Sequence, residues 1–233
     1  SVIAKQGLGI VVTYGVLVSE FYFAMLLLWV LLFLVGGAFL RGRIAPLSRY
    51  TREPLLLSFS TASSEASLPK LFEQLDRFGV PRRISGFILP LGYSFNLDGS
   101  MIYMSFASIF IAQAYGIHVP IGTQILMLLT LMVSSKGIAG VPRASLVVIA
   151  ATLSQFGLPV EGIALLLGVD TFLDMGRSAT NVVGNAVATA VITRSEGMLQ
   201  PLVDPDEEMP KAPAHTSSDG RAGLNIDPVQ YED

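Results

Sequence analysis

The pattern of apolar and polar positions divides the chain into long apolar stretches separated by short polar loops. A helix needs about 20 residues to cross a bilayer, and three stretches are long enough, which predicts spans at 10–40, 84–115 and 162–194. Two further regions, 53–82 and 121–157, contain apolar segments that are too short to cross. The pattern therefore predicts three spans and, between them, two segments that enter the membrane and return.

Composition supports a membrane protein. The chain is 52% hydrophobic and only 14% charged, whereas soluble domains carry about 25% charged residues. It has no cysteine and two isolated histidines, which argues against disulfide scaffolds and Cys or His metal sites. Because the chain starts with Ser and enters its first apolar stretch almost at once, we expect it to be a fragment of a longer protein.

The first short apolar segment lies between two basic loops. Residues 41–54 carry four arginines, and residues 70–83 carry three arginines and a lysine. If the segment does not cross, both loops lie on one face, and the positive-inside rule makes that face cytoplasmic. Residues 53–82 are therefore predicted to form a re-entrant hairpin with its tip near Ser63, Ser64 and Glu65. Irregular backbone at this depth must be buried in protein or line a wet cavity.

The second span is interrupted at its centre. Residues 96–100 read Asn-Leu-Asp-Gly-Ser, which favours a turn over a helix. An unwound helix at the midplane would expose carbonyls beside Asn96 and Asp98, and such oxygens suit a cation. The alternative is an ordinary surface loop with a helix cap.

The third apolar region is also broken. Two short arms flank residues 135–143, which include two glycines and a proline. We predict a second re-entrant hairpin over 121–157, entering from the outer face. The alternative, one span kinked at Pro142, would place Arg194 and the following tail outside, against the charge bias.

Hairpin followed by span thus occurs twice, from opposite faces. This order is typical of inverted-repeat transporters with a binding site at the midplane. The predicted fold class is an all-α integral membrane protein with an inverted-repeat transporter fold, over residues 1–197.

The chain ends in a polar tail. Nine of the 18 acidic residues lie beyond Arg194, and the rest of the chain has a net charge of +4. Residues 198–233 have too little apolar surface to form a core. They are predicted to be a disordered, acidic, cytoplasmic tail.

The last span carries one polar stripe. Its members fall within an arc of about 80° on a helix: Asp170, Asp174, Arg177, Asn181 and Asn185. Ionisable groups inside a membrane normally face a bundle interior or a water-filled site. Arg177 presents a fork that fits a carboxylate, and Asp174 can accept a hydrogen bond from an ammonium. The pattern therefore fits an amino acid with a side-chain carboxylate, or else a structural ion pair.

Four segments resemble the dicarboxylate/amino acid:cation symporter family, which includes glutamate and C4-dicarboxylate transporters. Residues 59–69 resemble the family's serine-rich first hairpin, and residues 96–100 are similar to its Asn-Met-Asp-Gly-Thr motif. Residues 137–142 resemble the second hairpin tip, and 173–177 together with Asn181 resemble the last helix. The motifs occur in the family's order, and the likeness covers residues 7–196.

The resemblance implies the C-terminal half of a trimeric symporter that moves substrate by an elevator-like displacement. The scaffold and trimerisation helices would lie in a missing N-terminal half. The resemblance implies no organic cofactor, only Na⁺ and/or H⁺ as coupling ions. The second hairpin would act as the outer gate.

The resemblance also implies site residues. Arg177 would bind the substrate's side-chain carboxylate and Asp174 its amino group, with the remainder of the site formed by Ser63, Ser64, Ser100, Gly140, Val141, Ser178 and Asn181. The cation sites would use Gly92, Ser94, Asn96, Asp98, Ser135, Lys136, Ile138, Asn181 and Asn185.

Three positions depart from the sodium-coupled pattern. Asn185 stands where those members have an Asp, which removes a charge from one sodium site. Met104 occupies a position where some members have a protonatable Glu. Glu65 replaces a serine beside the substrate-binding tip, as in several bacterial relatives, and is the candidate proton carrier.

The sequence therefore predicts a symporter for glutamate or aspartate in the cell inner membrane, with no enzymatic activity and no nucleic-acid partner. A C4-dicarboxylate symporter is the alternative, and an anion channel is a third. An intramembrane hydrolase is disfavoured because no G-x-S-x-G or H-E-x-x-H motif is present.

Overall fold

The computed structural model describes residues 8–95, 98–135 and 144–203. Regular secondary structure within these ranges is entirely helical, which confirms the predicted all-α class. Ten α-helices and one 3₁₀ helix lie in these ranges, and we number the α-helices in chain order: α1 Leu8–Leu40, α2 Ile44–Tyr50, α3 Arg52–Thr61, α4 Leu68–Phe78, α5 Arg82–Phe95, α6 Asp98–Ala114, α7 Ile121–Ser134, α8 Ala144–Gln155, α9 Ile163–Leu166 and α10 Asp170–Ser195.

Two stretches are long and apolar enough to cross a membrane, Val11–Leu40 and Arg82–Ala114. The second contains residues 96 and 97, which lie outside the described ranges. Large apolar side chains of α1 are exposed, including Phe23 at 70% and Leu34 at 67%. Such a surface is unfavourable in water and favourable in lipid or against another apolar helix.

The helices α3 and α4 pack together as a pair, which we call hairpin 1. Its two helices are joined by a turn in which Ala62 adopts a left-handed conformation at φ 50°. The helices α7 and α8 form a second packed pair, hairpin 2, whose connection, 136–143, lies outside the described residues.

The last helix begins later than the sequence predicted. Residues 162–194 were predicted as one span, but α10 begins at Asp170 and is separated from the short α9 by a turn. Two tyrosines of α1 contact the backbone on either side of this break: Tyr14 donates to Leu165 O and Tyr22 to Phe172 O, both at 2.7 Å. The apolar region after hairpin 2 is therefore an interrupted helix.

The polar tail also begins later than predicted. Residues 198–203 belong to the described structure, and their backbone is hydrogen-bonded to the end of α4: Gln200 N donates to Gly79 O at 2.9 Å and Val203 N to Arg77 O at 2.8 Å. The structure therefore differs from the predicted disorder over these six residues. Residues 204–233 lie outside the described ranges.

α10 lies against α1, α3, α5 and α6. Two apolar clusters meet along it, one containing Leu173 and the other Val182. The polar residues of 174–181 lie between the two clusters. Packing on either side thus holds a polar layer in the N-terminal half of the helix.

Candidate substrate and cation site

Arg177 is the centre of this polar layer. Its Nη1 donates to Ser145 Oγ at 2.9 Å and to Ser100 Oγ at 3.3 Å, so it joins α10 to α8 and α6. Its guanidinium carbon lies 6.0 Å from the centroid of the Tyr103 ring, within the range of a cation–π contact. The side chain is only 16% exposed. The fork is therefore held in one position by groups from three helices.

Asp174 lies one turn before Arg177 on the same face. Its Oδ1 is 2.6 Å from Nε of Arg177, and both side chains are largely buried. The Nε–H of Arg177 does not point at the Asp174 carboxylate. The two side chains therefore form an ion pair that contains no hydrogen bond from Nε. The pair neutralises two charges in a poorly hydrated layer and leaves the guanidinium fork oriented toward the two serines.

Asn181 bridges α10 and the start of α6. Its Oδ1 accepts from the Gly99 backbone N–H at 3.0 Å, and its Nδ2 donates to Ser100 Oγ at 3.2 Å. A Cβ at Gly99 would collide with Arg177 O and with the Thr180 side chain. Glycine at position 99 thus allows α6 and α10 to approach each other closely. Asn181 can then accept a hydrogen bond from an N–H group in the first turn of α6, which has no partner within its own helix.

Asp170, left without a role by the sequence, accepts a hydrogen bond from the Tyr103 hydroxyl at 2.5 Å. Both residues are buried, at 4% and 0% exposure. Because the Tyr103 ring also lies beside Arg177, the tyrosine connects the buried carboxylate to the central guanidinium.

The turn of hairpin 1 presents hydroxyl groups. Ser63 and Ser64 donate to the Glu65 carboxylate at 3.3 and 3.5 Å. Tyr93 of α5 fixes the turn by donating to Ser64 O at 3.0 Å. Ser64 is buried, whereas Glu65 is exposed. The candidate proton carrier therefore lies at the surface of the described chain, in contact with both candidate substrate serines.

Oxygen atoms for a cation lie on α5, α6 and α10. A Cβ at Gly92 would collide with Asn185 Oδ1, so the amide oxygen lies directly against the α5 backbone. Asp98 opens α6, and Ser94 Oγ donates to Pro90 O at 3.1 Å. Such neutral oxygens and one carboxylate are hard ligands of the kind that alkali and alkaline-earth cations prefer.

Comparison with known proteins gives the family of the chain. The family model described as the sodium:dicarboxylate symporter family matches residues 1–195. The chain belongs to this family. The family consists of symporters, which are membrane proteins.

Individual relatives carry two kinds of name. The chain is 46% identical over 196 residues to a proton/sodium-glutamate symport protein of Geobacillus stearothermophilus, covering 84% of the chain and 46% of the relative. It is 47% identical over 221 residues to a C4-dicarboxylate transport protein 2 of Mesorhizobium japonicum, covering 93% and 48%. It is 55% identical over 150 residues to a proton/glutamate-aspartate symporter of Escherichia coli, covering 64% and 34%. The chain spans about half of the length of these curated relatives, or less than half.

Most of the predicted site residues fall into three groups. Asp174, Arg177, Asn181 and Ser100 converge through the contacts above, and Ser178 is buried beside them on α10. The hairpin 1 serines converge on Glu65 and Tyr93, and no bond joins them to Arg177 among the contacts described. Five predicted residues lie outside the described ranges: Asn96, Lys136, Ile138, Gly140 and Val141.

Ser135 is the only predicted residue of hairpin 2 that is described. It is buried, and its hydroxyl donates to Met132 O at 3.1 Å and lies 3.6 Å from the Met101 sulfur. It therefore contacts α6 near the polar layer.

Sequence reasoning missed four residues that hold the site together: Tyr93, Gly99, Tyr103 and Ser145. Tyr103 had a usable signal, because it lies three residues after Ser100 and shares its face of α6. Ser145 had none, since serine is common beside helix starts. These residues act through partners on other helices, which the sequence does not place.

Proposed function

We propose that the protein is a secondary active symporter that takes up glutamate or aspartate together with Na⁺ and/or H⁺. The observation that carries the proposal is the Asp174–Arg177 pair at 2.6 Å, buried between two apolar clusters and surrounded by serine and asparagine side chains. Membership of a symporter family supports transport as the activity.

The pair matches a zwitterion that carries an additional carboxylate. Arg177 would receive the side-chain carboxylate in a bidentate arrangement, because its fork is already fixed by Ser100 and Ser145. Asp174 would accept a hydrogen bond from the ammonium group. Further residues would bind the α-carboxylate of the substrate and exclude water: Ser63, Ser64, Ser178 and Asn181, together with Gly140 and Val141 of the hairpin 2 connection.

The coupling ions would be cargo that binds together with the substrate. Gly92 and Asn185 form one candidate cation site with Asn96 and Asn181, and Asp98 contributes the carboxylate of another with Asn96. Backbone around Ser94, Ser135, Lys136 and Ile138 forms a third. Glu65 is proposed as a proton carrier, since it is a carboxylate in direct contact with Ser63 and Ser64.

Hairpin 1 and hairpin 2 are proposed to be re-entrant from opposite faces, with hairpin 2 as the outer gate of an elevator-type carrier. The observation that supports a repeat is the order of the helices, because a packed helix pair precedes a long helical segment twice: α3 and α4 precede α5 and α6, and α7 and α8 precede α10. We further propose an inner-membrane homotrimer assembled through the other half of the protein, with the C-terminal tail in the cytoplasm.

A C4-dicarboxylate symporter is the second candidate. Asp174 already has a cationic partner in Arg177, so the charge of the Asp174 carboxylate would be partly compensated even when the ligand has no ammonium group. In addition, a C4-dicarboxylate transport protein is 47% identical to this chain. We favour the amino acid because its ammonium would add a charge-assisted hydrogen bond to the Asp174 carboxylate, which succinate lacks.

Competition of aspartate uptake by succinate in the full-length protein distinguishes the two substrates. We expect wild type to prefer aspartate, and Asp174→Asn to lose this preference without gaining affinity for succinate. Equal potency of succinate and aspartate in wild type would overturn the choice. Arg177→Ala is expected to abolish recognition of either ligand.

Two further measurements test transport and coupling. Labelled aspartate in proteoliposomes should show counterflow, since a carrier exchanges its substrate and a channel produces no exchange-driven overshoot. Uptake that is insensitive to Na⁺ but abolished by collapse of the proton gradient supports Glu65 as the carrier, and Glu65→Gln should then lose the proton dependence. Strict Na⁺ dependence with no proton effect rejects that part of the proposal.

A further inference from the structure

Trp29 of α1 contacts α10 beside the polar layer. Its indole Nε1 donates a hydrogen bond to Thr180 Oγ1 at 2.9 Å. Thr180 is fully buried, and its hydroxyl donates in turn to the sulfur of Met25 at 3.0 Å. Met25 and Trp29 are four residues apart and therefore lie on one face of α1. The Thr180 hydroxyl is thus held between two side chains of a neighbouring helix.

The orientation of the Thr180 side chain differs from that of two later threonines of α10. Thr189 and Thr193 are also fully buried, but their hydroxyls donate to the backbone of their own helix, at Asn185 O and Thr189 O, both at 2.7 Å. This bond to the preceding turn is common for a threonine within a helix. The Thr180 hydroxyl is instead directed toward α1, so a partner on another helix sets its orientation.

The Cβ of Thr180 lies against the first turn of α6. A Cβ added at Gly99 would lie only 2.9 Å from Thr180 Cβ, so α6 passes this side chain closely. The next residue of α10, Asn181, accepts from the Gly99 N–H at 3.0 Å, and Asp98 opens the same helix. Thr180 therefore lies between α1 and the turn of α6 that carries candidate substrate and cation groups.

α1 is held close to α10 on both sides of Trp29. A Cβ added at Gly176 of α10 would lie 3.1 Å from the Phe21 ring, and one added at Gly36 of α1 would lie 3.0 Å from Val187. Small residues allow two helices to approach closely within a membrane. Because both contacts are close, the position of the indole along α10 is fixed, and the indole can orient the Thr180 side chain.

We propose that Trp29 is a positioning residue for the polar layer. By holding the Thr180 hydroxyl toward α1, it keeps the space beside Gly99 free and so maintains the bond between Gly99 and Asn181. Without the indole N–H, Thr180 turns about its Cα–Cβ bond, a larger group faces α6, and that bond lengthens. Trp29 itself contacts neither substrate nor ion. The inference rests on the proposed function in that Asn181 and Asp98 are taken to bind substrate and cations.

The first measurement asks whether the indole of Trp29 depends on the Thr180 hydroxyl. Trp29 is the one tryptophan of the 233 residues, and in full-length protein labelled with 5-fluorotryptophan its ¹⁹F resonance is the one that Trp29→Phe lacks. Thr180→Val should shift this resonance, because the indole N–H loses its acceptor. An unshifted resonance would reject the contact and overturn the proposal.

Thr193→Val is the matched control for this measurement. Thr193 is as buried as Thr180 and lies on the same helix, but its hydroxyl donates to the backbone of α10. The control should therefore leave the Trp29 resonance in place. An equal shift in both variants would show that the resonance reports a general change of α10, which also overturns the proposal.

The second measurement asks whether loss of the contact weakens substrate affinity. Trp29→Phe and Thr180→Val should each raise the KM for aspartate uptake about fivefold, as expected for one interhelical hydrogen bond within a membrane. The maximal rate should match wild type, and Thr180→Ser, which keeps the hydroxyl, should restore the KM. A lower maximal rate at wild-type KM would indicate a structural role alone and reject the positioning role.

Trp29→Phe combined with Thr180→Val tests whether the tryptophan acts through the threonine. Both substitutions remove the same bond, so the double variant should have the same KM as either single variant. Two independent effects would instead multiply. A KM raised by the product of the two single effects would show that Trp29 acts by another route and would contradict the proposal.

Titration of the labelled protein separates this inference from the proposed function, because binding in detergent requires no transport. Na⁺ is added first, and then aspartate or succinate in its presence. A shift of the Trp29 resonance with Na⁺ or aspartate supports the positioning role. A shift with succinate alone also supports that role but rejects the amino acid as substrate. A resonance that none of the three shifts would overturn the role of Trp29, even where aspartate uptake is confirmed.

Discussion

Arg177 of α10 donates from Nη1 to the Ser145 hydroxyl of α8 at 2.9 Å. This bond connects the central guanidinium of the polar layer to hairpin 2, the element proposed as the outer gate. The position of the gate arm and the orientation of the carboxylate-binding fork are thereby linked through a single hydroxyl. This link leads to the first prediction.

Ser145→Ala should raise the KM for aspartate uptake by about tenfold, because a hydrogen bond to a charged group contributes about 1.5–3 kcal/mol. Ser145→Thr keeps the hydroxyl and should retain most of the affinity. Initial rates in proteoliposomes of the full-length protein measure the effect. Ser154→Ala, at an exposed position of the same helix, is the control and should match wild type. A Ser145→Ala variant with wild-type KM would show that the hydroxyl does not orient the guanidinium.

Tyr103→Phe should destabilise the protein by about 1–3 kcal/mol, because it removes the hydroxyl that donates to the buried Asp170 carboxylate. Thermal unfolding in detergent measures the change as a lowered Tm. Tyr115→Phe provides a comparison, since Tyr115 is 47% exposed and should be unaffected. Equal Tm values for the two variants would mean that the bond adds nothing to stability.

Gly99→Ala should disrupt the junction of α6 and α10. The added methyl would collide with the Arg177 carbonyl and Thr180, so the bond from Gly99 N to Asn181 would be lost or strained. We expect a lower Tm and at least a tenfold loss of aspartate uptake. Gly86→Ala is the control on α5, where a Cβ meets nothing within 4 Å. Normal uptake by Gly99→Ala would indicate that the junction relaxes without cost.

Asn185→Asp should strengthen Na⁺ dependence. The side-chain oxygen lies against Gly92, so the substitution places a full negative charge beside a candidate cation site with little change in shape. We expect the Na⁺ concentration for half-maximal uptake to fall by about tenfold, since an added carboxylate ligand increases cation affinity. Asn185→Ala should have the opposite effect. Identical Na⁺ curves for all three proteins would exclude residue 185 from ion binding.

Much of the fold follows from local pattern. Runs of apolar residues indicated where the long helices lie, and the short arms indicated two helix pairs. The period of 3.6 residues placed Asp170, Asp174 and Arg177 on one face of α10. Family motifs then identified the chain's relatives. Each of these signals is contained in a short segment of the sequence, so no tertiary information is needed to recognise it.

Only the tertiary structure decided which groups meet across helices. Tyr103 and Asp170 are 67 positions apart, and Ser145 and Arg177 are 32 apart, so their contact depends on the rotation and offset of whole helices. The same holds for the break before α10, which two tyrosines of α1 contact, and for residues 199–203, whose backbone partners lie at the end of α4. Hydrophobic periodicity predicts which face of a helix is buried. The packing of the helices determines which other helix that face contacts.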